Sequence, residues 1–240
     1  MKSKKKIILT ETGVIVLLMI VFSYLAVYIL PKILFFFSWM DYIFSNMIYY
    51  TIIIIYYILI LLILLRLVYH KNKKADFLFI FNFFRFKKLN TKTLYRAILI
   101  FLISGTLSNL IRVSLEYFKI SPTIIKNLEL VKSSEINVND ILITLSILVT
   151  VVVAPLVEEI IFRGYLLQKQ EIALGKYAWI LNGFAFTLVH LVVYNFATLL
   201  IISPFSFLIA YKVQKHKDTS IGLLSHFFIN LLFVIRLFME

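Results

Sequence analysis

Four polar side chains embedded in apolar sequence have the types needed to activate water: Glu158, His190, His226 and Asn230. Glu158 lies in Ala154-Pro155-Leu156-Val157-Glu158-Glu159-Ile160-Ile161-Phe162-Arg163. Glu159 and Arg163 there are four residues apart, share a helix face and suit an ion pair. Glu158 points about 100° away, which leaves one carboxylate for other work. Pro155 removes a backbone hydrogen bond one turn earlier and can open the helix. Phe186 and His190 share a face four residues apart, as do His226 and Asn230. A carboxylate, two imidazoles and an amide can activate water and stabilise an oxyanion. Glu158, His190 and His226 could equally ligate a divalent metal such as zinc. Taken singly the signals are weak, because an intramembrane histidine is as often a helix–helix hydrogen bond as a catalyst.

The elements that carry these residues are long apolar helices. Of the 240 residues, 62% are hydrophobic and 15% charged, against about 45–50% and about 25% in soluble domains. Residues 12–31, 42–65, 141–157, 177–211 and 219–235 contain no Asp, Glu, Lys or Arg. About 20 apolar residues cross a bilayer, and a soluble helical core would need polar faces that these blocks lack. The expected fold is an all-α polytopic transmembrane bundle of about seven spans: 10–30, 46–68, 95–117, 141–168, 176–195, 196–213 and 219–238. Residues 1–139 form an N-terminal region of three spans, and residues 140–240 hold the catalytic core in the last four. The block 177–211 is read as an out-and-back hairpin turning near Asn195, with Ser203-Pro204 able to break its second arm. Residues 75–86, rich in phenylalanine and too short to span, read as an in-plane segment at the cytoplasmic surface.

Charge and cysteine content narrow the function classes. The formal charge is +13, yet with a cytoplasmic N-terminus 19 of the 25 Lys and Arg fall on the inner side, the sense of the positive-inside rule. The charge therefore orients a multi-pass protein of the cytoplasmic membrane, whose partner is the lipid bilayer and not nucleic acid. The loop 118–140 is expected outside. Lys2, Lys4, Lys5 and Lys6 precede an apolar segment of signal-anchor length. There is no cysteine, which excludes disulfides, a thiol nucleophile and thiolate metal sites. Ser104, Ser108 and Arg112 recur at four-residue spacing on the third span, as cavity lining or as ordinary interhelical bonding.

The order Glu-Glu-x-x-x-Arg, Phe-x-x-x-His, His-x-x-x-Asn on successive apolar segments resembles the CPBP family. These are the CAAX-prenyl-endopeptidase-like and bacteriocin-processing (Abi) intramembrane proteases. The resemblance covers roughly residues 140–238. It implies that Glu158 activates water and that Glu159 and Arg163 are a supporting pair. It makes His190 the catalytic histidine of the second motif, with Phe186 supporting. His226 and Asn230 serve catalysis and the oxyanion. The family carries a metalloprotease label, while a metal-free water activated by glutamate and histidine is also proposed for it. This chain has no His-Glu-x-x-His helix, so the cofactor stays open between a divalent metal and none.

The expected activity is an intramembrane endopeptidase acting on a membrane-associated peptide or protein, in bacteriocin self-immunity or peptide processing. Two rivals keep the same residues: a non-catalytic immunity or scaffold protein, and a transporter using Glu158 and His190 as a proton relay. The transporter would call for paired broken helices in two related halves, and no such internal symmetry is visible.

Overall fold

Apolar blocks with no polar face become helices wherever the structure, a computed structural model, describes them. The described residues are 2–25, 29, 42–71, 77–120, 147–192 and 194–239. The expected outer loop 118–140 lies almost wholly outside them, as do the first residues of the span 141–168 and the division of the chain at 139/140. The elements in chain order are α1 (Lys2–Tyr24), α2 (Tyr42–Lys71), α3 (Phe77–Phe83) and α4 (Thr91–Tyr117). Next comes one continuous helix, α5, built from Leu148–Val153, Ala154–Glu159, Ile160–Leu166 and Leu167–Leu174. Then follow α6 (Ala178–Val189), α7 (Phe196–His216) and α8 (Thr219–Met239). The protein is an all-α membrane protein. Among the described residues, three stretches are long and apolar enough to cross a membrane: Lys6–Tyr24, Thr91–Tyr117 and Phe196–His216.

Local chemistry sets the helix ends. Asn90 and Asn195 are N-caps whose side chains accept from Thr93 N at 3.0 Å and Thr198 N at 2.9 Å. Gly175, at φ +56°, ends α5 in a conformation that favours glycine. The turn before Asn195 closes the hairpin that the sequence anticipates. Its first arm is shorter than expected, since the twelve residues of α6 rise only about 18 Å, less than the hydrocarbon thickness of about 30 Å. A single 3₁₀ turn, His190–Val192, prolongs that arm. Pro204 does not break α7. The carbonyl of Leu200, which its missing N–H would have satisfied, accepts instead from the Ser203 hydroxyl at 2.8 Å.

The phenylalanine-rich segment also departs from the sequence reading. Among its described residues only Phe77–Phe83 is helical, and Phe84 and Phe86 turn inward to 2% and 8% exposure. Gly164 makes the notch that Phe84 enters: a Cβ there would stand 3.0 Å from Phe84 Cδ1. Thr219 N donates to the Arg85 carbonyl at 2.9 Å and Thr219 Oγ1 to the Phe84 carbonyl at 2.6 Å, tying the segment to the start of α8. What reads as an in-plane amphipath is half surface element and half core. The core has two parts. One joins Phe162, Tyr165, Phe186 and Val189 to Met19 of α1, Phe84 and Phe86, with Tyr57 and Leu61 of α2 packed against it. The other joins Ile100 of α4 to Leu167, Phe205, Ile209 and Ile221.

Candidate functional site

Helix α5 is wound unusually. Leu148–Val153 and Ile160–Leu166 are wide π-type turns on either side of Ala154–Glu159. Ala154 N donates back to Val149 O and Leu167 N to Phe162 O, each spanning five residues instead of four. Wide turns leave carbonyls for outside donors. Asn230 Nδ2 of α8 donates to Thr150 O at 2.8 Å, and Asn182 Nδ2 of α6 to Phe162 O at 2.8 Å. Pro155, which has no N–H to give, stands between the two turns. The glutamate pair is thus held in a short α-helical segment whose flanks are bonded to the two helices carrying the other motifs.

Glu159 and Arg163 are both fully buried, and their ion pair closes at 3.3 Å. Arg163 also donates to Ser206 O of α7 at 3.3 Å, and its guanidinium lies 4.1 Å from the centroid of Phe186. Phe186 is the shared wall of the site, its ring 4.8 Å from that of His190 and 5.8 Å from that of His226. A flat apolar ring is what lets a cation and two imidazoles crowd one position without competing for its atoms. Buried polar atoms remain without a hydrogen bond at Glu159 Oε2, Arg163 Nε and Arg163 Nη1.

His226 stands between the two glutamates. Its Nδ1 is 3.2 Å from Glu159 Oε1, and its Nε2 faces Glu158 Oε2 at 3.8 Å, wider than a hydrogen bond. Glu158 makes no hydrogen bond to any described residue. The Nδ1 of His190 lies 2.9 Å from the Phe186 carbonyl. A carbonyl can only accept, so that nitrogen carries a proton, and in the Nδ1–H tautomer Nε2 is the lone-pair side. His190 makes no hydrogen bond to Glu158 or His226. Its ring stacks on Tyr194, with centroids 6.0 Å apart and planes at 4°. Asn230 spends one amide proton on Thr150 O and keeps the second.

Of the residues singled out from sequence, Glu158, Glu159, Arg163, Phe186 and His226 meet directly, while His190 joins through Phe186 and Asn230 through the wide turn of α5. Three residues were not legible from the motifs. Gly222, one helical turn before His226, is where α8 passes against the Glu159 carboxylate, and a Cβ there would collide with Oε2. Tyr194 and Tyr56 both lie within electrostatic reach of Glu158, and the Tyr56 hydroxyl is buried with no hydrogen-bond partner. On the third span, Ser108 donates to Ile201 O at 2.6 Å, Ser104 to its own helix at Phe101 O, and Arg112 pairs with Glu116 on the exposed face. These are helix–helix and surface bonds, so the serine ladder is the bland reading of that motif.

The donors for a metal do not gather. Among the described residues no group of three or more His, Asp or Glu side chains is placed to hold a metal ion. Glu158 and His226 face each other, but His190 is drawn off by Phe186 O and Tyr194.

Residues 140–232 match the family model of type II CAAX prenyl endopeptidases, Rce1-like. No curated protein and no solved structure matches the chain.

Proposed function

From the premise that residues 140–232 form an Rce1-like domain, and hence that the chain carries a protease-family core, we propose that it is an intramembrane endopeptidase in which Glu158 is the general base. The carrying observation is the division of labour between adjacent carboxylates. Glu159 is engaged by Arg163 and His226, whereas Glu158, with no hydrogen bond to any described residue, faces His226 Nε2 across a 3.8 Å gap. A water placed near that gap can meet both the base and the imidazole.

In the proposed reaction Glu158 takes a proton from water as the water oxygen bonds to the scissile carbonyl carbon. The developing oxyanion is met by the free amide proton of Asn230, and by His226 Nε2 when that ring carries both protons. As the carbon–nitrogen bond breaks, Glu158 returns the proton to the leaving amine. Glu159 and Arg163 fix the helix and orient His226. His190, presenting Nε2, accepts a hydrogen bond from the water or the peptide N–H. The substrate is a membrane-associated peptide or protein, and the setting is bacteriocin self-immunity or peptide processing.

The test compares purified wild type with Glu158→Gln in detergent, using a peptide library read by mass spectrometry that contains CAAX-type sequences with and without a farnesyl group. Cleavage by wild type that Glu158→Gln abolishes, with both proteins equally folded, is the expected result. Glu158→Gln cleaving at the wild-type rate would remove the base. Retention of an immunity phenotype by that variant in cells would favour a binding-only protein.

A further inference from the structure

The start of α4 and the end of α7 meet at one level beside the turn into α8. Thr93 Oγ1 donates to Asp218 Oδ2 at 3.2 Å, and Lys87 Nζ donates to the His216 carbonyl at 2.8 Å. Lys87 is held further by its backbone, which exchanges two hydrogen bonds with the Ser220 hydroxyl at 3.0 and 2.9 Å. Around this junction stand Lys87, Lys88, Lys92, Arg96, Lys212 and Lys215. Arg96, Lys212 and Lys215 are all within electrostatic reach of the His216 ring. The carboxylate at the junction is Asp218, 2% exposed, with its oxygens taken by Thr93 and by Ser220 N at 3.1 Å.

Several of the protein's other cations are paired. Arg85 and Lys217 share Glu171, Lys169 pairs with Glu11, and Arg163 with Glu159. Among the described residues, Lys87, Arg96, Lys212 and Lys215 have no carboxylate within ion-pair distance. A compact group of like charges is self-repelling unless an anion joins it. Two features identify the anion. Tyr95 and Tyr211, 65% and 39% exposed, mark the depth at which amphipathic rings meet lipid headgroups. Below the cations, Ile103 and Leu107, seven and eleven residues after Arg96, form an exposed apolar ladder on its face of α4. Free phosphate, nucleic acid and acidic peptides have no use for that ladder.

We infer that the α4–α7 junction binds an anionic phospholipid, its phosphate among Lys87, Arg96, Lys212 and Lys215 and an acyl chain along Ile103 and Leu107. The lipid supplies the negative charge the junction lacks and ties α4 of the N-terminal region to α7 and α8 of the catalytic core. This site is independent of the protease reading.

The test uses the full chain in mixed micelles, titrated with dioleoylphosphatidylglycerol or dioleoylphosphatidylcholine, with bound lipid counted by native mass spectrometry. Phosphatidylglycerol should be retained in preference, and rising salt should weaken it. Each cation removed should lower its apparent affinity about fivefold, so Lys212→Gln with Lys215→Gln should cost about 25-fold. Lys212→Arg with Lys215→Arg should keep it, and Lys119→Gln, at the other end of α4, should leave it unchanged. Unfolding midpoints without added lipid report whether each variant is folded, and Lys87→Gln with Arg96→Gln repeats the test should the first pair fold poorly. Equal retention of the two lipids would overturn the inference, as would wild-type affinity in both Gln pairs. Displacement by inorganic phosphate or poly-glutamate at concentrations matching the lipid would show an anion or acidic-peptide site instead.

Discussion

Replacing Glu159 by Gln changes one charge and almost no volume, so the cost of stranding Arg163 can be worked out from the structure. The guanidinium is fully buried, and its surroundings are Glu159 at 3.3 Å, Ser206 O at 3.3 Å and the Phe186 ring at 4.1 Å. The carbonyl and the ring remain in the variant and contribute equally before and after. The new amide oxygen still accepts from His226 Nδ1, so the difference isolates the lost charge. Removing one partner of a buried pair typically costs about 3–5 kcal/mol. For a chain of this length, 1 kcal/mol shifts a melting midpoint by about 2–4 °C, so the variant should melt roughly 6–20 °C lower. Adding Arg163→Met removes the stranded cation, and the double variant should recover most of the loss, because paired buried charges are often worth no more than an apolar pair. Thermal unfolding in detergent of wild type, both singles and the double completes the cycle. A Glu159→Gln midpoint within about 2 °C of wild type would refute the argument, as would a double variant no better than the single.

Gly222→Ala should destabilise by about 1–3 kcal/mol, since its methyl must displace the Glu159 carboxylate. Gly105→Ala, with open space at the same test position, should be neutral or about 1 kcal/mol stabilising; matching signs in unfolding would contradict the packing. Tyr56→Phe deletes a buried hydroxyl that has no partner, so stability should hold or rise by about 1 kcal/mol, and a clear loss would reveal a bond to that oxygen. A single cysteine at Lys88 should label only from the cytoplasm and one at Lys119 only from outside, in a chain otherwise free of cysteine; labelling from the opposite sides would invert the topology.

What the sequence made legible is what depends on one helix at a time. Glu159 and Arg163 pair because four residues of helix place them together, and the turn at Asn195 follows from a charge-free block too long for one crossing. What it hid depends on two chains passing. Nothing near Gly222 announces that α8 must approach a carboxylate on α5, and nothing near Gly164 announces that it admits Phe84. The unbroken course of α7 through Pro204 rests on a hydroxyl one residue away, a local remedy that composition rules overlook. His190 was read at a span's interior; its place in a 3₁₀ turn after a twelve-residue helix follows from how soon the chain turns back. Tyr56 lies in a helix without any motif, and only folding brings it near Glu158.

The wide turns of α5 make the number of residues in that helix a chemical parameter in its own right. A wide turn is an α-helix with one residue too many; that surplus frees Thr150 O for Asn230, while Phe162 O takes Asn182 beside Leu167 N. Substitutions at the side chains of these turns leave the surplus in place. Deleting one residue from Leu148–Val153 or Ile160–Leu166 would let the backbone rewind to ordinary pitch, reclaiming the carbonyl while keeping most flanking faces where they were. Hydropathy would hardly register the change, and a family motif such as Glu-Glu-x-x-x-Arg would survive the first deletion intact. A shortened chain of this kind would still read as complete and yet hold Asn230 by one bond fewer, so spacing upstream of the glutamates belongs to the site as much as the glutamates do.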